Sequence, residues 1–215
     1  MKIIKFISDH APNFIGAWSM GNPGLCDKII EYFDRNSPMH EAGATQSGTK
    51  SSRKNSTDLA IIPNALREPT HAVFRTYLRE LHRCYLDYLR QWPFLFDDVH
   101  KVVDIGPFII QKYDVGGHYA AVHTERASLA TMHRSLAWMT YLNTVDVGGR
   151  TNFPHYGLDV KPERGKTLIW PADWTHAHKG NIVTTGSKYI ITGWMHYPLA
   201  QSGAGIEAHE LAAEG

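Results

Sequence analysis

Apolar residues follow two different rhythms along the chain, and the change comes near Asp98. Before it the spacing is helical. In "GLCDKIIEYFDRN" (24–36), Leu25, Ile29, Ile30 and Phe33 recur every three or four residues, which predicts an amphipathic helix. A longer helix is predicted over 69–91. Pro69 suits its first turn, and Val73, Tyr77, Leu81, Cys84, Tyr85, Tyr88 and Leu89 share one face that needs a sheet to cover it. "KIIKFIS" (2–8) and "DLAII" (58–62) read as strands. The segment 37–57, "SPMHEAGATQSGTKSSRKNST", is small, polar and locally basic. It reads as a long mobile loop, and loops of that length inside a domain often serve as lids.

After Asp98 the helical period stops. Short β-like runs occupy 107–113, 118–123, 135–143, 158–162, 166–171, 176–183 and 188–197, with Gly, Pro and Asn between them. Many short strands at such spacing predict an antiparallel sandwich or barrel. The expected organisation is one domain over 1–200. Strands and supporting helices fill 1–100, the β core fills 101–198, and a loose tail follows from 201 to 215.

Composition narrows the partners. Apolar residues make up 43% and charged residues 20%, ordinary for a globular chain. With 22 basic against 21 acidic residues, no global field draws nucleic acid or an anionic membrane. No run approaches the ~20 apolar residues of a membrane span. The opening apolar stretch is broken by Lys5 and Asp9, unlike a signal peptide. Cys26 and Cys84 sit inside helical patterns and read as buried hydrophobes, so a reducing, cytoplasmic setting is expected. The sequence does not set the oligomeric state.

Thirteen histidines bring in chemistry. In "GHYAAVHTE" (117–125), His123 and Glu125 stand two apart, and in an extended segment they point to one face. Alone, that pair is a weak metal signal. "WPADWTHAHKG" (170–180) offers a further histidine, His176 or His178, on a later strand. Two histidines and one carboxylate on one side of an octahedral ion are the facial triad of non-haem Fe(II) oxygenases. A closed structural zinc site would want four ligands, usually with Cys, and neither cysteine has a partner at the right spacing.

Residues 107–197 resemble the catalytic core of the Fe(II)/2-oxoglutarate-dependent dioxygenases, in the prolyl-4-hydroxylase-like branch. The matching pieces are "HTE" (123–125), "GGRTNF" (148–153), "VKPERGKTLIWP" (160–171), His178, and "GSKYIITGW" (186–194), in the family's order. The resemblance implies an α+β, mainly β fold: a double-stranded β-helix (jelly-roll) core with the N-terminal helices packed on one sheet. It implies His123, Glu125 and His178 as metal ligands, because the family's distal histidine stands ten residues before its basic residue, here Lys188. Lys188, Tyr113 and Thr167 would then meet 2-oxoglutarate. His176, Arg126, Arg134 and Trp194 are candidates for supporting the ligands or meeting substrate, and the loop 126–134 for folding over it. Glu125 stands where the family more often has Asp, so an extra methylene must be accommodated. The implied cofactors are Fe(II), 2-oxoglutarate and O2, with ascorbate as a supporting reductant. The implied reaction is hydroxylation of an unactivated C–H, with peptidyl proline as the first expectation and other peptides or small metabolites as further substrates. Two other readings stay open. One is a cupin-type metal enzyme without 2-oxoglutarate, and the other a β-sandwich binding module whose histidines are incidental.

Overall fold

A computed structural model describes residues 2–3, 12–45, 48–99, 103–198 and 206–207. In chain order the elements are β1 (Lys2–Ile3), β2 (Gly16–Ser19), α1 (Pro23–Arg35), β3 (Glu41–Ala42), β4 (Thr57–Ile61), α2 (Ala72–Gln91), β5 (Asp104–Ile105), β6 (Phe108–Tyr113) and β7 (Tyr119–His123). Then follow β8 (Arg134–Tyr141), β9 (Thr151–Phe153), β10 (Leu158–Val160), β11 (Lys166–Pro171), β12 (His178–Gly180), β13 (Lys188–His196) and β14 (Ile206–Glu207).

The strands form two antiparallel sheets. The larger runs β1-β2-β11-β8-β13-β6-β4-β3, with β5 also on β13 and β14 on β5; the smaller runs β10-β9-β12-β7. Non-consecutive neighbours through the middle of both sheets, such as β11-β8-β13-β6 and β9-β12-β7, mark the wound path of a double-stranded β-helix.

Period-two patterning gives the larger sheet two different faces. On β8, Leu136 and Trp138 turn toward the helices, while Ala137, Met139 and Tyr141 turn toward the smaller sheet. The helix side is closed by Ile29 and Phe33 of α1 and by Phe74, Tyr77, Leu78, Leu81 and Tyr88 of α2. Between the sheets, Met139, Leu168 and Trp170 meet Phe153, Leu158 and Val160. The helices therefore brace the back of the larger sheet, and its front is free to build a cavity.

Several expectations change. The helix predicted over 69–91 opens with a 3-10 turn, Pro69–His71, before α2, and Val73 is only half-buried while Phe74 and Leu78 are buried. Of the strand predicted at 2–8, only β1 lies inside the described residues. Segment 37–57 is not a plain loop. It holds a 3-10 turn, β3 and an antiparallel bridge between Asn55 and His118. Backbone bonds such as Gly43 N–H to the Ser56 carbonyl pair it, and these need no apolar side chains, so periodicity could not reveal them. The short strands β2, β5 and β9 also escaped the pattern, at two to four residues each. In the expected tail, β14 pairs with β5 and the rest lies outside the described residues.

Candidate metal centre

β7 and β12 pair antiparallel with His123 directly opposite His178, and Glu125 follows just past the end of β7. Each imidazole donates its Nδ1–H to a backbone carbonyl at 3.0 Å: His123 to Ala121, His178 to His176. That fixes both tautomers and leaves both Nε2 lone pairs free. Those atoms face one carboxylate oxygen, Glu125 Oε1, at 3.7 Å from His123 and 3.2 Å from His178. The three ligand atoms lie within 4.8 Å of one another. Three electron-pair donors converging in a partly buried site fit a divalent cation of the nitrogen- and oxygen-liking kind. Burial and the neighbouring His178 push His123 down to about 4, keeping it neutral. Burial opposes ionisation of Glu125, but His178, His123 and the Trp194 N–H outweigh it and hold the carboxyl down to about 2.

The second Glu125 oxygen is also engaged. Trp194 Nε1 donates to Oε2 at 2.8 Å. The Arg134 guanidinium lies 3.6 Å over the Trp194 ring, donates to the Glu125 backbone carbonyl at 3.0 Å and stands 3.9 Å from Oε2. Tyr119 stacks flat on His123, ring centroids 3.7 Å apart at 6°.

These groups line a cavity of about 210 Å³ that Lys188 also lines. Lys188 opens β13 opposite Tyr113 on β6 and is 2% exposed. Its Nζ donates to the Gly149 carbonyl at 3.0 Å and lies 4.5 Å from the centre of the Tyr113 ring. No acidic side chain pairs with it among the described residues, and burial pushes its pKa down to about 8. Gly148 and Gly149 both take positive φ, +83° and +64°, which lets the chain bring the Gly149 carbonyl onto this lysine. Tyr113 is buried and donates its hydroxyl to Gln111 Oε1 at 2.7 Å.

Three expected residues stand elsewhere. Thr167 does not face the cavity. On β11, Leu168 and Trp170 turn between the sheets, so Thr167 turns to the helix side. There it bonds Thr140 at 2.8 Å, and Thr140 bonds Tyr77 of α2 at 2.8 Å. The His176 ring also turns away: its Nε2 lies 2.9 Å from the Asn13 carbonyl and 3.2 Å from the Tyr156 hydroxyl. What supports His178 is the His176 backbone carbonyl. Arg126 is drawn to Asp173 at 3.3 Å and lines no part of this cavity.

Sequence reasoning missed the outer wall. Ala44, Thr45 and Lys54, from the expected loop, line the cavity. Lys54 is 4% exposed and pairs with Asp58 at 2.6 Å. Asp58 accepts in turn from Gln111 at 3.2 Å, which links this wall to Tyr113. A lone lysine among polar residues carries no signal of burial.

Two histidines and a carboxylate converging in one cavity with a buried lysine make the donor set of a facial-triad metal centre, on a double-stranded β-helix. Comparison with known proteins narrows the class. Residues 108–196 match the family model described as the 2OG-Fe(II) oxygenase superfamily. It is 29% identical over 103 residues to human prolyl 4-hydroxylase subunit alpha-1, which covers 40% of this chain and 19% of that protein. The chain thus spans about a fifth of the length of the curated relatives it matches. Among solved structures, a Pseudomonas putida prolyl-4-hydroxylase shares the fold with TM-score 0.66 at 15% identity, over 87% of this chain and 95% of that one. A Trichoplax adhaerens prolyl hydroxylase in complex with a hypoxia inducible factor oxygen degradation domain peptide fragment does so with TM-score 0.66 at 12% identity, over 86% and 84%.

Proposed function

We propose that this chain is an Fe(II)- and 2-oxoglutarate-dependent oxygenase that hydroxylates a prolyl residue in a peptide or protein. The observation that carries the reading is Lys188. A buried ammonium with no acid partner among the described residues is costly, and it stands in the same cavity as three converging metal donors. That pairing suits a dianion with one end for the metal and the other for the lysine. A cupin-type enzyme without such a co-substrate, or a binding module, has no use for it. The prolyl assignment is supported by the relatives, which are prolyl 4-hydroxylases.

His123 Nε2, Glu125 Oε1 and His178 Nε2 would hold the metal. Bound there, Fe(II) supplies activation of O2 coupled to oxidative decarboxylation of 2-oxoglutarate, which leaves succinate and CO2 and places one oxygen atom on a C–H bond. The chain's own work is placement. Lys188 would bind the far carboxylate of 2-oxoglutarate as a compact point charge. Tyr113 stands beside it with a hydroxyl already oriented by Gln111. Met139, Trp170 and Ile190 add apolar lining to the cavity and would help exclude water.

The test is Fe(II)-dependent conversion of 2-oxoglutarate to succinate in the presence of proline-containing peptides. His178→Ala is expected to abolish turnover. His176→Ala, which leaves the supporting backbone carbonyl in place, is expected to retain it. No metal binding by the wild type, or no response to 2-oxoglutarate, would sink the reading.

A further inference from the structure

The two oxygens of Glu125 live in different environments. Oε1 faces both imidazoles. Oε2 points the other way, into the indole N–H of Trp194 at 2.8 Å, with Arg134 packed over the far face of the indole. Arg134 is itself held by the Glu125 backbone carbonyl. Indole, guanidinium and glutamate therefore close a ring of contacts around one carboxylate oxygen. These contacts join three parts of the chain: β13 supplies Trp194, β8 supplies Arg134, and the segment just after β7 supplies the glutamate.

From this geometry we infer that Trp194 and Arg134 are positioning residues for Glu125, a clamp that holds Oε2 away from the metal and makes the glutamate a one-oxygen ligand. The inference rests on the proposed metal-dependent function. The physical reason is the glutamate itself. Its side chain has one more rotatable bond than aspartate, which gives the carboxylate more freedom to turn both oxygens toward a cation. A carboxylate that chelates through two oxygens uses up a coordination position, and a three-donor centre needs its open positions for co-substrate and O2. Occupying Oε2 with a half-buried N–H donor removes that option. The same donor also fixes the extra torsion. A shorter Asp at this position would pull its second oxygen back from the indole and lose the bond.

The clamp predicts coupling between position 125 and position 194 in metal binding, measured without turnover. The protein is titrated with Co(II) under anaerobic conditions, reading both affinity and the visible absorption of the bound ion. Trp194→Phe, which keeps an aromatic ring of similar packing but no N–H, is expected to weaken Co(II) about tenfold, the scale found when a ligand loses its supporting hydrogen bond. It is also expected to change the Co(II) spectrum, as a freed Oε2 joins the coordination sphere. Glu125→Asp is expected to weaken binding as well. The double variant should be no weaker than the poorer single one, because both changes remove the same bond. A Trp194→Phe protein with wild-type affinity and spectrum overturns the clamp. So do losses in the double variant that multiply. Circular dichroism melts of each variant separate a folding defect from a metal defect, and Glu125→Asp reports on the bond even if Trp194→Phe does not fold. If the wild type binds no Co(II), it is the metal-dependent function that fails, a different outcome from a bound ion indifferent to Trp194.

Discussion

At Lys188, burial and charge oppose each other. Its amine is shielded from water, it donates to the neutral Gly149 carbonyl, and its pKa falls to about 8. The protonated form is the one that attracts a carboxylate. Affinity for 2-oxoglutarate is therefore expected to be level below pH 8 and to fall as the lysine loses its proton above it, by up to about tenfold per pH unit. Lys188→Ala should bind 2-oxoglutarate more weakly and without that pH dependence. Isothermal titration of the Mn(II)-loaded protein across pH 6.5–9.5 (a range of about three units around the shifted value) checks both; a flat wild-type profile would contradict the assignment. At this scale much was legible from the sequence. His123 and Glu125 stand two apart, and the ten-residue offset from His178 to Lys188 matches a known family. Lys54 was not legible, because its burial depends on a strand pairing that its neighbours do not announce.

The strand is the scale at which side matters. A one-residue difference along β11 separates Trp170, which lines the cavity, from Ile169, which packs against the helices. Thr167 shares the Ile169 side and joins Thr140 and Tyr77 in a buried polar chain between sheet and α2. Thr167→Val is accordingly expected to cost about 1 kcal/mol of stability, the net worth of one such hydrogen bond. It should leave the 2-oxoglutarate dissociation constant unchanged. Chemical denaturation and a binding titration on the same variant decide the matter, and a weakened co-substrate would return Thr167 to the cavity. The sequence pattern could place Thr167 on a strand, but not on a face. In "KTLIWP" nearly every residue is apolar or small, so no polar alternation marks which side is which. Only pairing with β2 on one side and β8 on the other sets that phase.

Across the whole molecule, stability and chemistry occupy opposite sides of one sheet. The helices and their aromatic cluster back the larger sheet, and the cavity opens on its front. Leu81, fully buried in α2, touches only the structural side. Leu81→Ala is expected to lower stability by about 2–5 kcal/mol through the cavity it leaves. Below the unfolding transition its Co(II) affinity should match the wild type. A melt paired with a metal titration measures both, and a parallel loss of metal binding would mean that the helix layer sets the geometry of the centre.

What the sequence alone determined were the properties carried by local spacing: two amphipathic helices, a train of short strands, and the order of motifs that resembles an iron- and 2-oxoglutarate-dependent family. Those readings need only periodicities of 3.6 and 2 and fixed offsets along the chain. Tertiary structure decided which face each strand turns inward. It put Thr167 behind the sheet, turned the His176 ring toward Asn13, and sent Arg126 to Asp173. It also joined β7, β8 and β13 around the carboxylate of Glu125, where Trp194 and Arg134 meet it. The contacts to Glu125 link residues as many as 69 positions apart, and they exist only because backbone pairing between distant strands sets register.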